Sequence, residues 1–355
     1  MGALPPIELL CIGNAMVDVF APVYPLRLDE WGITEPIQHI SRDQAQYVLE
    51  RLTSKLIYSS GGGAANVAKI AAMLDMRAAF TGCVGEGATR SGNNLAAVFE
   101  KDLRAAGVVP FLTSGVEKTG LCFVFNCDGG ETRIAASPGA SLEFSENDVR
   151  EELFDGVEVV VLDGYILDRR PIVQRILQIA NRRAIPIALD AASVFQIKEK
   201  TEEILHYSRN YPLIVFMNAD ESIVFYNTIK KNSEQIEAVS EKEKEALILR
   251  DICPVLKCIT EGEIFPIIVI KLGGHGAVVL AGGNIYREET FTIIPRNTVG
   301  AGDAFCAAFL SAWIRGKSIR ECAAMGNKVA KEILMVPGTN IKAGKLKSFA
   351  KLLRS

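Results

Sequence analysis

The chain reads Asn297-Thr298-Val299-Gly300-Ala301-Gly302-Asp303 immediately before an apolar segment that starts at Ala304. Two glycines allow the backbone to turn tightly from a strand into a helix. The first N–H groups of that helix then lack carbonyl partners, and the positive end of the helix dipole lies beside them. This arrangement predicts an anion site at the helix start, formed by the backbone of residues 300–302.

Asp303 follows this glycine turn, in or just before the first turn of the helix. One interpretation is that its carboxylate caps its own helix. The other is that it accepts the proton of a substrate hydroxyl while the amides of residues 300–302 hold a transferring phosphoryl group. A carboxylate and an anion hole within four residues suit phosphoryl transfer to an alcohol. We expect the helix dipole to keep this carboxylate ionised.

A second glycine cluster, Gly61-Gly62-Gly63-Ala64-Ala65-Asn66, also precedes a helix. It lacks both the GxGxxG spacing of dinucleotide sites and the Gly-Lys-Ser/Thr end of a P-loop. The glycines would allow a ligand to lie against bare backbone, and Asn66 offers a donor and an acceptor to a hydroxyl. Taken alone, the cluster could equally be a tight turn.

Outside these motifs, short β-branched runs alternate with longer segments of helical periodicity. This alternation predicts a doubly wound α/β fold, with a mainly parallel sheet and helices on both faces. The predicted strands are 9–13, 78–84, 157–163, 185–190, 213–217 and 266–272, and the predicted helices are 64–74, 93–106, 172–182 and 304–314.

Two segments, 15–40 and 110–136, do not follow the alternation. They contain Pro and Gly breakers, and Asp128-Gly129-Gly130 separates two strand-like runs as in a hairpin. We expect them to form a small β-sheet that acts as a discontinuous lid on the α/β core. The core would then comprise residues 1–14, 41–109 and 137–355.

The composition excludes several classes of function. Of 355 residues, 49% are hydrophobic, so the chain can bury enough apolar surface to fold. Its 39 basic and 42 acidic residues leave a formal charge of -3, which disfavours nucleic acid or an anionic membrane as a partner. A small-molecule substrate is the remaining expectation, and the sequence leaves a monomer and a homodimer equally open.

Eight cysteines occur without a CxxC pair, and the three histidines share no ligand spacing. Reduced, mostly buried thiols are therefore expected rather than disulfides or a structural metal site. No apolar run approaches the ~20 residues of a membrane span. The first residues lack the pattern of a signal peptide, so the expected location is the cytoplasm.

The GGxxxN cluster together with NTxGAGD near the other end resembles the two signatures of the PfkB (ribokinase-like) family of sugar and nucleoside kinases. The resemblance spans nearly the whole chain, from Cys11 to Gly338. It implies an ATP-dependent kinase that uses Mg²⁺ and phosphorylates a primary hydroxyl.

The resemblance also implies roles for particular residues. Asp303 would be the catalytic base, and Gly300, Ala301 and Gly302 would form the phosphate cradle. The sugar-binding positions would be Asn14, Asp18, Gly62, Gly63 and Asn66. The ATP-binding positions would be Asn218, Glu221, Lys271, Gly273, Gly276, Thr298, Asn327 and Gly338, with Glu221 organising Mg²⁺ through water.

One position departs from the family pattern, since Asn297 stands where the second signature usually begins with Asp. In many members that acid helps to hold a monovalent cation. A neutral amide attracts K⁺ less than a carboxylate does, so we expect weak or absent activation by K⁺.

The long insertion from Leu26 to Leu52 favours the adenosine kinase-like branch, whereas the segment 134–141 is similar to members that take ribose, fructose phosphates or inositol. A nucleoside is therefore the first expectation and a free sugar the alternative. A non-catalytic sensor of the same fold is a further alternative, because a fold does not determine a function.

Overall fold

The computed structural model describes residues 6–53, 56–126, 132–231, 240–261, 266–290, 293, 299–335 and 343–354. The strands are β1 Leu9–Ile12, β2 Met16–Pro22, β3 Ile37–His39, β4 Ile57–Gly61, β5 Ala78–Gly85, β6 Val109–Gly115, β7 Thr119–Asn126, β8 Thr132–Gly139, β9 Val159–Asp163, β10 Ile187–Asp190, β11 Leu213–Asn218, β12 Ile267–Lys271, β13 Ala277–Ala281 and β14 Asn284–Glu288. The helices are α1 Pro25–Glu30, α2 Arg42–Arg51, α3 Gly63–Met73, α4 Leu95–Ala105, α5 Arg170–Arg182, α6 Val194–Asn210, α7 Ala219–Lys230, α8 Glu241–Leu247, α9 Cys253–Ile259, α10 Ala301–Ile314, α11 Ile319–Leu334 and α12 Ala343–Arg354.

A nine-stranded sheet forms the centre, in the order β14-β13-β12-β11-β10-β9-β1-β5-β6. The strands from β12 to β6 run parallel, and β13 and β14 add an antiparallel edge. Alternate side chains of β1 enter two different cores: Leu9 and Cys11 pack with α3 and α10, whereas Leu10 and Ile12 pack with α5 and α6. Helices therefore cover both faces, and the predicted doubly wound α/β fold is confirmed.

The carboxyl ends of the parallel strands carry polar residues. Asp163 ends β9 and Asp190 ends β10, and the two are direct partners in the sheet register. Asn218 and Lys271 hold the same relation at the ends of β11 and β12. Ligands of open α/β sheets bind outside these strand ends.

A second sheet has five strands in the order β3-β8-β7-β2-β4. Its strand β2 begins only four residues after β1 ends, and β4 leads through Gly62 into α3. The small sheet is thus joined to the core beside the glycine cluster. No helix among the residues described is long and apolar enough to cross a membrane.

Two strands lie in a different sheet from the one that the predicted lid boundaries indicate. β4 was assigned to the core, but it pairs with β2 in the small sheet. β6 was assigned to the lid from residue 110 onward, but it pairs with β5 at the edge of the large sheet. Pro110 suggests a breaker, yet an edge strand tolerates proline. The turn predicted at 128–130 lies outside the described residues, although its flanking strands β7 and β8 do pair antiparallel.

Candidate active site

The helix α10 begins at Ala301, three residues before its apolar run. Gly300 is its N-cap in the left-handed conformation (φ 81°), which glycine adopts without strain. Ala304 N donates to Gly300 O at 2.9 Å, and the amides before it lack intrahelical carbonyl partners. Thr298 and Asn297 lie outside the described residues.

Asp303 meets Asn66 across the cavity, because the Asn66 Nδ2 donates to Asp303 Oδ2 at 2.9 Å. Removal of water raises the pKa of Asp303 to about 7, and the charge of Asp190 adds to this rise. The hydrogen bond from Asn66 and the charge of Lys271 oppose it. Burial therefore opposes the expected effect of the helix dipole, and with a pKa of about 7 Asp303 is only partly ionised near neutral pH.

A partly buried ion pair lies beneath the helix start. Lys271 Nζ is 2.8 Å from Asp190 Oδ2, and the Cys306 thiol donates to the same oxygen at 3.2 Å. Burial alone would raise the pKa of Asp190, but the charge and hydrogen bond of Lys271 hold it below its usual value. A Cβ on Gly302 would lie 3.3 Å from Lys271 Nζ, so a fixed cation lies directly against the first turn of α10.

Asn218 and Glu221 form a reciprocal cap at the start of α7. Asn218 Oδ1 accepts from Glu221 N at 2.9 Å, and Asn218 N donates to Glu221 Oε2 at 2.7 Å. Burial raises the pKa of Glu221 to about 7 despite the opposing charge of Lys271. Within the described ranges, no three His, Cys, Asp or Glu side chains are grouped closely enough to hold a metal directly.

A cavity of about 480 Å³ lies between the small sheet and the core, and we name it the acceptor cavity. It brings together seven residues that the sequence singled out: Asn14, Asp18, Gly62, Gly63, Asn66, Gly300 and Asp303. The lining also includes Asp163, Tyr165 and Asp190 from the core, and His39 and Cys122 from the small sheet.

Asp18 reaches this cavity from β2 and is buried. Asp18 pairs with Ser59 in the register of β2 and β4, and its carboxylate packs against Gly61, where an added Cβ would be 1.9 Å from Asp18 Oδ1. Burial raises the pKa of Asp18 to about 6, while Lys69 pulls it down. Lys69 is itself held by Ser60 O at 2.6 Å. The close approach of the Asp18 carboxylate to Gly61 explains the first glycine of the cluster, because a larger residue at 61 would displace that carboxylate.

A second cavity of about 510 Å³, the donor cavity, lies on the other side of the α10 start. It is lined by six of the predicted residues: Lys271, Gly273, Gly276, Ala301, Gly302 and Asn327. Gly338 lies outside the described residues, and Asn218 and Glu221 do not line this cavity. Gly300 and Asp303 face one cavity while Ala301 and Gly302 face the other, so the helix start separates two binding spaces.

Sequence reasoning missed Asp163, Tyr165 and Asp190 of the cavity lining, and also Arg169, whose Nη2 donates to Asn14 Oδ1 at 2.7 Å. A signal existed for two of them, because Asp163 and Asp190 end predicted strands, and the carboxyl ends of parallel strands meet at one edge. Tyr165 and Arg169 belong to a short turn after β9 that no local motif distinguishes.

Comparison with known proteins agrees with this geometry. The family model described as "pfkB family carbohydrate kinase" matches residues 8–345. The chain belongs to the pfkB family of carbohydrate kinases. It is accordingly a phosphotransferase that acts on a hydroxyl group. Its two cavities lie on either side of the glycine turn at residues 300–302.

Three relatives illustrate the range of the family. Adenosine kinase 1 of Arabidopsis thaliana is 26% identical, over 90% of this chain and 91% of its own. The 5-dehydro-2-deoxygluconokinase of Clostridium perfringens is 24% identical over 76% of each chain. The crystal structure of adenosine kinase from Sinorhizobium meliloti superposes with a TM-score of 0.80 and 26% identity, covering 98% of this chain and 99% of that one. The similarities to the two adenosine kinases support the adenosine kinase-like branch.

Proposed function

We propose that this pfkB kinase transfers the γ-phosphoryl group of ATP to the primary ribose hydroxyl of a nucleoside. One observation carries the proposal. Four carboxylates line the acceptor cavity, from Asp18, Asp163, Asp190 and Asp303, and no lysine or arginine belongs to the described lining. The rest of the lining is largely apolar.

The charge of this lining selects the acceptor. Lys271 pairs with Asp190 and Lys69 lies near Asp18, but neither cation lines the cavity. A phosphate or carboxylate on the acceptor would therefore meet carboxylates without a cation in direct reach, and would be repelled. Hydroxyl groups, in contrast, can donate hydrogen bonds to Asp18 and Asp303. The cavity therefore favours an uncharged acceptor rich in hydroxyls over a sugar phosphate or a sugar acid.

The apolar part of the lining favours a base attached to the sugar. Strands of the small sheet contribute Ile37, Val124 and Ile134, and the rings of His39 and Tyr165 meet edge to face with centroids 5.9 Å apart. A flat aromatic base can pack against such a surface, whereas a free sugar has no group to fill it. The two relatives named adenosine kinase support this assignment.

The surroundings of Asp303 support its role as the base. Asn66 occupies its Oδ2, while its Oδ1 lies near the bare backbone of Gly63, where an added Cβ would be 3.6 Å away. A substrate hydroxyl beside Gly63 could donate to Oδ1. A pKa of about 7 suits a group that must accept this proton near neutral pH.

The donor cavity suits ATP and Mg²⁺. A Cβ on Gly273 would meet nothing within 4 Å, so the glycine turn leaves open space beside the cavity. The residues that would hold the nucleotide are Gly273, Gly276 and Asn327 at its base end and Lys271 and the α10 amides at its phosphates. Asn218 and Glu221 lie outside the cavity lining, with Asn218 paired to Lys271 in the sheet, so they would hold Mg²⁺ only through water. When bound, ATP supplies the phosphoryl group, and Mg²⁺ neutralises phosphate charge.

A free sugar is the second candidate, since the same carboxylates can bind any polyol and the Clostridium relative is named as a gluconokinase. A coupled ADP-release assay over adenosine, ribose, fructose, fructose 6-phosphate and myo-inositol separates the two. We expect the highest kcat/KM for adenosine and the lowest for the sugar phosphate. A sugar or sugar phosphate used better than adenosine would overturn the nucleoside assignment.

A further inference from the structure

Two asparagine side chains face the acceptor cavity, and each is held by a charged neighbour. Asn66 donates from Nδ2 to the carboxylate of Asp303 at 2.9 Å. Asn14 accepts at Oδ1 from Arg169 Nη2 at 2.7 Å. A carboxylate accepts hydrogen bonds when ionised, whereas a guanidinium only donates them. Asn66 therefore uses its amide nitrogen for this contact, whereas Asn14 uses its amide oxygen.

Asn66 presents an acceptor to the cavity. Its Oδ1 is buried and has no hydrogen-bond partner in the described part of the chain. An unpaired buried oxygen is unfavourable, so a ligand hydroxyl that donates to it would remove a penalty as well as add a contact.

Asn14 presents a donor. Arg169 engages its Oδ1, which leaves Nδ2 as the group available to a ligand. The oxygen of the Asn14 amide, not its nitrogen, must face Arg169, because a guanidinium only donates hydrogen bonds and Nδ2 would find no acceptor there.

Arg169 is itself held firmly. Its Nη1 donates to Ser141 O at 2.6 Å, and Ser141 is buried in the turn that follows β8, where its hydroxyl donates to Pro138 O at 2.6 Å. The guanidinium thus bridges the chain after β8 and the chain after β1. Planar guanidinium groups suit this two-point contact, which a lysine ammonium cannot reproduce.

We propose that Arg169 is a positioning residue which determines acceptor specificity, because it holds Asn14 with Nδ2 toward the cavity. The acceptor must then carry a hydrogen-bond acceptor atom, such as a ring nitrogen or ring oxygen, opposite Asn14, and a hydroxyl opposite Asn66. This inference rests on the proposed function for the choice of ligands, but its test applies to whichever acceptor the enzyme uses.

The test compares the parent acceptor with analogues that each lack one acceptor atom: the 1-deaza, 3-deaza, 7-deaza and carbocyclic analogues of adenosine, or the carbasugar if the substrate is a sugar. In the wild type, one analogue should lose about tenfold in kcat/KM. In the Arg169→Met and Asn14→Ala variants, kcat/KM for the parent acceptor should fall to about the wild-type value for that analogue. The ratio of kcat/KM for the parent to kcat/KM for the analogue should then be less than about threefold. The effect should fall on the acceptor KM, with the KM for ATP unchanged.

Arg170→Met is the matched control. Arg170 is exposed, pairs with Glu203 at 2.7 Å and does not line the acceptor cavity, so its variant should keep the wild-type discrimination. Arg169→Lys provides a second variant if Arg169→Met does not fold, and it should also lose discrimination. The proposal is overturned if no analogue is disfavoured by the wild type, or if Asn14→Ala or either Arg169 variant still disfavours it tenfold. A wild type that phosphorylates only sugars would instead refute the nucleoside assignment.

Discussion

Asp303 is the residue on which turnover should depend most directly. Asp303→Asn keeps the side-chain size and an oxygen for Asn66, but it removes the proton acceptor. Loss of general-base function typically lowers rates by ~10²–10⁴-fold. We expect kcat to fall at least roughly 10²-fold with ATP binding retained, measured by steady-state kinetics and nucleotide titration. Near-normal turnover would refute the assignment of the base.

The pH dependence of kcat/KM should report the same carboxyl. Its pKa is raised to about 7, and only the ionised form can accept the hydroxyl proton. Activity should therefore rise with pH and level off above an inflection near 7. Asp190→Asn removes a negative neighbour and leaves Lys271 unpaired, so both changes should move the inflection to lower pH. An inflection near 4 in the wild type would show that Asp303 titrates as an exposed acid.

Single residues were predictable where a local motif carries them. Asp303 and Asn66 each follow a glycine turn whose spacing is visible in the chain, and the structure brings them within 2.9 Å. Arg169 was not predictable, because its role depends on Asn14, which lies 155 positions away in sequence. Only the folded chain brings this donor and this acceptor together.

At the scale of elements, the junction of β2 and β4 determines where Asp18 lies. Gly61→Ala would place a Cβ 1.9 Å from Asp18 Oδ1 and 2.2 Å from its Cγ, so the carboxylate must move. We expect a rise of about tenfold or more in the acceptor KM with little change in the KM for ATP. Steady-state kinetics with each substrate varied in turn measures both.

Gly344→Ala is the control for that substitution. Gly344 lies in α12, and an added Cβ there would meet nothing within 4 Å. Alanine is also favoured over glycine inside a helix by about 1 kcal/mol. This variant should keep both KM values, and an equal loss in the two variants would mean that Asp18 is not the target of the Gly61 change.

The periodicity of the sequence predicted the strands and helices themselves better than it predicted which strands pair with each other. The six predicted strands all belong to the large sheet, because buried parallel strands read as apolar runs. The residues of β4 fell in the predicted core and most of β6 in the predicted lid, but their pairing is the reverse, because their composition does not indicate which neighbour they pair with. Strand pairing is a property of the tertiary fold.

At the scale of the whole molecule, the buried carboxylates link stability to pH. Asp303 has an ordinary pKa of 3.8 and a folded value of about 7, so the folded protein binds this proton more tightly than the unfolded chain. Its contribution to stability is present below pH 4 and is lost as the pH rises through 7. Asp303→Asn should therefore raise Tm more at pH 8 than at pH 5, by on the order of 2 °C.

Thermal unfolding at both pH values measures this difference. Asp155→Asn removes the same charge from an exposed site that pairs with Arg183, and its effect should be similar at pH 5 and pH 8. An Asp303→Asn variant that is less stable than the wild type at pH 8 would contradict the burial cost assigned to Asp303.

We propose that the carboxylate-lined acceptor cavity, with its apolar wall, selects a nucleoside for phosphorylation at its primary hydroxyl. A competition experiment tests it most directly, with equal concentrations of adenosine, ribose and fructose 6-phosphate, limiting ATP with Mg²⁺, and products identified by mass spectrometry. We predict that the phosphorylated nucleoside is the main product and that Asp303→Asn forms almost none. A predominance of sugar products would contradict the claim.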